Sequence, residues 1–213
     1  MFYKSIINVV GVVAAATVVF TGCEGNSGVD PNPNPTVTKG TFVDSRDGKT
    51  YKKVTINTQT WMAENLNYAA EGSKCYEDNP SNCATYGRLY NWDAALTVCP
   101  AGFHLPSDDE WTAITDGGDR TSTAGRKLKA TSGWTSNGNG TDNYGFSALP
   151  GGGRGGSDGG FSYAGTMGTW WSATEIDDNY APYVRMGWDI AYVYHGSSAL
   201  RTGLYSVRCV EDN

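Results

Sequence analysis

Residues 99–116 read CPAGFHLPSDDEWTAITD. Ser107 precedes a helical pattern and Glu110 follows three residues later, which is the spacing of a capping box. Asp108 and Asp109 fall in the first turn, where the positive end of the helix dipole favours acids. Trp111 and Ile114 then share one face at helical spacing, so this helix is expected to lie on a core. On its N-terminal side, NWDAALTVC (residues 91–99) reads as a short amphipathic helix with Trp92, Ala95 and Leu96 on one stripe. On its C-terminal side, AGRKLKA (124–130) reads as a second brief helix after the capped one.

Strand patterns flank these helices. TFVDS (41–45) and KTYKKVTI (49–56) alternate with period two and are joined through Arg46-Asp47-Gly48, which predicts a β-hairpin. QTWMAENLNY (59–68) continues as another short extended element. From Gly133 onward the chain reads as loops and strands: YGFSALP, a flexible glycine-rich surface loop at 151–160, GTWWSATE, APYVRMGWD, IAYVYHG and GLYSVRCV. Composition agrees, since 28 Gly, 7 Trp and 13 Tyr among 213 residues describe a turn-rich globule with an aromatic core.

The N-terminus specifies location. Lys4 is followed by an uncharged apolar run, Ile6 to Phe20, of signal-core length and shorter than the roughly 20 residues of a membrane span. Phe20-Thr21-Gly22-Cys23 resembles a bacterial lipobox, with Phe20 where Leu is preferred. Residues 1–22 are therefore expected to be a lipoprotein signal peptide and Cys23 the acylated residue; an ordinary secretory signal with an incidental cysteine is the alternative. Residues 23–40 are expected to form a Pro/Asn-rich tether, and 41–212 the folded domain. Without residues 1–22 the chain loses one basic residue, Lys4, leaving 15 basic against 22 acidic and a formal charge of −7. That balance excludes the clustered cations that nucleic acid requires, and it leaves acyl chains as the membrane attachment.

Four further cysteines are an even number in an exported chain, where disulfides are the default, and three pairings are possible. The pairing chosen is Cys75–Cys83 and Cys99–Cys209, because CYEDNPSNC contains Asn-Pro-Ser turn chemistry that folds back easily. Zinc is the competing reading, but the spacing and the absence of a neighbouring His do not match its ligand sets. No cofactor and no metal site is expected.

DGKTYKKVTINTQTWMAENLNY, CPAGFHLPSDDEWTAI, GFSALPGGGR, WWSATE and YSVRCV, in that order, resemble the Fibrobacter succinogenes major paralogous domain. The resemblance implies an α+β fold: a single C-type-lectin-like domain, related in fold to the formylglycine-generating enzyme. It would have short, mostly antiparallel strands, two short helices and long loops. It also implies an exported bacterial protein, often a lipoprotein. The related enzyme needs redox-active cysteines, and here each cysteine beyond Cys23 has an expected structural partner, so no such chemistry is expected. The Glu-Pro-Asn and Trp-Asn-Asp tripeptides of calcium-dependent lectins are missing too.

The remaining candidates divide between structure and contact. His104 reads as a locally hydrogen-bonded ring and His195 as an exposed ring at a strand end. GGGRGGSDGG lacks the Lys-Ser/Thr of a phosphate loop. Asp108, Asp109 and Glu110 are explained by capping, and Asp177 and Asp178 by exposure; neither group shows the convergence of a paired acid site. Trp170, Trp171 and Trp188 are kept as ligand-contact residues, because exposed indoles stack on sugars or anchor interfaces. The expected function is a non-catalytic interaction domain on a cell-envelope lipoprotein, at the outer membrane or cell surface, adhering to polysaccharide or to a surface protein. An envelope enzyme acting on glycans and a structural envelope component are the alternatives.

Overall fold

The computed structural model describes residues 35–156 and 159–213. The lipobox and Cys23 lie outside them. The expected hairpin is present: β1 (Val37–Val43) and β2 (Thr50–Ile56) pair antiparallel with Phe42 opposite Tyr51. Strand β1 starts at Val37, inside the span read as tether. The proline-free run after Pro35 can donate every N–H a ladder needs, which proline cannot.

β3 (Gln59–Met62) joins β2, and the chain continues through β4 (Ser73–Lys74), α1 (Pro80–Tyr86), β5 (Leu89–Tyr90), α2 (Trp92–Ala95) and β6 (Phe103–His104). α3 (Asp108–Thr115) and α4 (Ala124–Leu128) follow, then β7 (Gly151–Arg154), β8 (Phe161–Ala164), β9 (Met167–Trp171) and β10 (Tyr180–Gly187). β11 (Tyr194–Leu200), β12 (Tyr205–Ser206) and β13 (Val210–Glu211) complete the described elements. One sheet runs β1-β2-β3-β13-β6, and the other runs β11-β10-β9-β12-β5-β4, with β7 pairing β8 and β9. The fold is α+β, with mostly antiparallel pairing; β9 pairs parallel with β12 and β7.

Four short α-helices stand among the described residues where the resemblance implied two; α2, α3 and α4 match the three helical segments read from the sequence, and α1 was not read. α1 arises within CYEDNPSNC: the Asn79 side chain accepts from Ser81 N, and Pro80 occupies the first helical position. Asn-Pro reads as a turn, yet the same pair caps a helix. α2 is shorter than the pattern suggested, so Leu96 caps it and is exposed while Trp92 and Ala95 are buried.

The glycine-rich segment differs most from expectation. Its first four residues are a buried strand, β7, rather than a surface loop. At Gly152, φ is +64° and a Cβ would stand 2.5 Å from the Ser162 carbonyl oxygen, so only glycine lets β7 approach β8 this closely.

Two aromatic cores lie on either side of β9. One gathers Trp61, Trp111, Trp134, Phe146, Trp170, Val184 and Met186; the other gathers Tyr51, Met62, Tyr90, Trp92, Trp171 and Val207. Arg208 is fully buried between elements. Its Nε donates to Asn65 Oδ1 at 2.8 Å, and its other nitrogens donate to the carbonyls of Met62, Phe146 and Ser147. Burial lowers its pKa to about 9, which leaves it a cation at neutral pH.

Candidate functional site

Trp170 and Trp171 are fully buried, which corrects their reading as ligand contacts. Alternation does send them to opposite faces of β9, but a core covers each face, Trp170 packing into one and Trp171 into the other. Their indoles are committed: Trp170 Nε1 donates to Asn65 Oδ1 at 2.8 Å and Trp171 Nε1 to the Tyr90 carbonyl at 2.7 Å. Trp61, Trp92, Trp111 and Trp134 are likewise buried, each with an acceptor for its N–H.

Trp188 alone of the seven tryptophans is exposed, at 40 %. It follows the last residue of β10 and helps line a cleft of about 310 Å³ with Arg126, Lys129, Asn137, Asn139 and Asp189. The turn that carries it is tied down from beneath. Lys129, itself buried, donates from Nζ to the carbonyls of Gly187 at 2.8 Å and Ile190 at 3.0 Å, one on either side of Trp188-Asp189. Trp188 N donates to the Thr166 carbonyl at 2.9 Å. Burial lowers the Lys129 pKa, with the Asp189 carboxylate opposing that shift.

Most of the polar side chains around the indole are uncommitted among the described residues. Arg126, Asn137 and Asp189 make no side-chain hydrogen bond among the described residues, and Asn139 uses only its carbonyl oxygen, on Trp134 N at 3.0 Å. An exposed ring surrounded by unused amide, guanidinium and carboxylate groups can stack on a flat ligand and hydrogen-bond its edges. Lys129, Asn137 and Asn139 carried no sequence signal as a set. They come from a helix end and a turn, and only the fold brings them to Trp188.

Both histidines occupy defined contacts. His104 Nδ1 lies 2.6 Å from Asp212 Oδ1, and its Nε2 lies 2.7 Å from Glu110 Oε1. Burial alone would lower its pKa, but the hydrogen bonds to Asp212 and Glu110 outweigh it and the pKa is raised. Glu110, raised by burial but more strongly lowered by Ser107 and His104, ends below the usual carboxylate range. His195 is not the exposed strand-end ring expected from sequence: it lies within β11, partly buried, with Nε2 2.7 Å from Thr115 Oγ1. Thr115 gives its only hydroxyl proton to the Trp111 carbonyl, so His195 Nε2 is the donor of that pair. Burial lowers the His195 pKa.

Other candidates are structural. Arg154 donates from Nε to the Gly159 carbonyl at 2.7 Å, and Asp177 Oδ1 accepts from the backbone N–H groups of Asn179 and Tyr180, closing a turn. A further hollow of about 190 Å³ is lined by Lys49, Lys52, Glu64, Asn67 and Tyr86, with both signs of charge on its walls. Among the described residues no group of three or more His, Cys, Asp or Glu side chains could hold a metal ion, and no helix is long and apolar enough to cross a membrane.

The cysteines pair as chosen: Cys75 with Cys83, Cα atoms 5.0 Å apart, and Cys99 with Cys209, 5.9 Å apart. Fold and cleft define a small, disulfide-bridged α+β domain with an aromatic core and one exposed indole. The chain belongs to the family described as the Fibrobacter succinogenes major domain, whose family model matches residues 54–211. No curated protein and no solved structure matches it.

Proposed function

We propose that this chain is a cell-envelope lipoprotein, acylated at Cys23, that displays a non-catalytic interaction domain with a lectin-like fold, and that the Trp188 cleft adheres to polysaccharide. The anchor would hold the domain at the outer membrane or cell surface. The observation that carries the adhesion reading is the exposed Trp188 ring with the side chains of Asn137, Arg126 and Asp189, and the amide nitrogen of Asn139, unengaged among the described residues. Six buried indoles make the core; the seventh stands among free hydrogen-bonding groups, where it adds nothing to core packing. Thr115 and His195, the hydroxyl–imidazole contact closest to a catalytic pair, support a non-catalytic reading because the hydroxyl is buried and its proton committed to a carbonyl.

The test is retention of the purified protein on immobilised plant and bacterial polysaccharides. Trp188→Ala is expected to weaken retention at least about tenfold with no loss of stability. Trp171→Ala is the contrasting control, expected to destabilise the domain by about 3–5 kcal/mol in urea unfolding. Undiminished retention by a folded Trp188→Ala variant would remove the cleft from this role, and turnover of any bound glycan would replace adhesion by the enzyme alternative.

A further inference from the structure

The turn that supports Trp188 also borders a second, smaller pocket. Gly165 and Thr166 connect β8 to β9; the Thr166 carbonyl takes the Trp188 N–H, and Met167, the first residue of β9, lines a pocket of about 130 Å³ with Tyr163, Thr169, Tyr183, Arg185 and Tyr205. Two of its walls are tyrosine rings laid on glycines. A Cβ at Gly196 would run into the Tyr183 ring, and one at Gly153 would stand 2.6 Å from the Tyr205 ring. The bare glycines let each ring lie close against the backbone, the two rings tilted 42° to one another with centroids 5.8 Å apart.

Tyr163 forms the outer edge. It is 61 % exposed and holds a φ of +70°, a conformation bulky side chains rarely adopt. Its carbonyl accepts from both the N–H and the hydroxyl of Thr166, at 3.0 and 2.9 Å, which fixes the turn in that shape. The charge is the decisive feature. Arg185 lies across the strands from Thr169 and Tyr194, its guanidinium 4.8 Å from the Tyr194 ring centroid. Among the described residues it makes no hydrogen bond or ion pair, and none of those that line the pocket is a carboxylate. A planar cation left with all its donors, walled by tyrosine faces and hydroxyls, matches a carboxylate carried on a ring that can stack.

The geometry points to a uronic-acid subsite: the pocket takes one acidic sugar of a glycan chain, its carboxylate on Arg185 and its ring against the tyrosines, beside the Trp188 cleft. This inference rests on the polysaccharide reading of that cleft and names the kind of polysaccharide. The test compares retention of the full chain on polygalacturonate and on the same polymer methyl-esterified, which keeps the rings and removes the charge. The acid form is expected to bind at least about tenfold more tightly. Arg185→Gln is expected to erase that preference while leaving the ester retained, and Trp188→Ala to weaken both. Equal binding of acid and ester by the unaltered protein overturns the subsite and leaves the cleft standing, even if the variant fails to fold.

Free galacturonate, titrated while following tyrosine ring resonances, probes the pocket without Trp188. Saturable shifts lost in Arg185→Gln support the subsite even if no polymer is retained, an outcome that would sink the cleft alone. Arg185-dependent binding of polyglutamate with no response to galacturonate would overturn the assignment to a sugar.

Discussion

His104 joins two acids from different parts of the chain, Glu110 on α3 and Asp212 after β13. Its raised pKa means that this contact contributes stability fully below the ordinary imidazole value of 6.5 and loses it as pH rises through the folded value. Glu110 is lowered, so its share is present above the ordinary carboxylate value of 4.5 and lost as pH falls through the folded value. The clip should therefore be strongest between those two pH values. The difference in Tm between the protein and His104→Gln is expected to be largest near pH 5.5 and to shrink toward about pH 9; a difference constant over that range would show that the ring acts only by packing. His195, with its pKa lowered by burial, works in the opposite direction and adds stability above about 6.5 that is lost on acidification. His104 reads from sequence only as a locally hydrogen-bonded ring, with neither acid named; Glu110 is near in the chain, but Asp212 is 108 positions away.

The capping box at α3 was legible in full, since all its partners lie within four consecutive residues. Ser107 Oγ accepts from Glu110 N at 3.3 Å, and Glu110 Oε2 accepts from Ser107 N at 2.8 Å. Ser107→Ala should cost about 1 kcal/mol, read as a lower urea midpoint at unchanged slope; an unmoved midpoint would mean that the Glu110–His104 contact holds the helix start without it. The first hairpin was legible for the same reason, as alternation and a turn are both short-range. β7 was not. Gly151–Arg154 has no side-chain alternation to read, and its strand state depends on β8 and β9 closing over it. α1 was missed because Asn-Pro-Ser serves equally as a turn and as a helix start, and a separation of 8 between the cysteines leaves room for either.

The two disulfides constrain very different lengths of chain, with sequence separations of 8 and 110. Cys99–Cys209 ties the segment after α2 to the residue just before β13 and joins the second core. In the chain-entropy view, replacing it by serines should cost about 4.7 kcal/mol against about 2.5 for Cys75–Cys83, measured by urea unfolding of each double variant. Equal losses would show that folded-state packing around the bridges outweighs loop closure. Cysteine number, spacing and turn chemistry were enough to choose this pairing. They were not enough to locate the cleft, which is assembled from positions 126–129, 137–139 and 188–191. What short-range rules govern (the helix cap, the hairpin register, the local bridge, the opposite facing of Trp170 and Trp171) can be read from neighbouring residues alone. Which indole meets solvent cannot, because exposure depends on how many layers fold over a strand. Here β9 lies between two cores and hides both of its tryptophans, while Trp188, one step past the end of β10, is left 40 % exposed at the rim of a cleft.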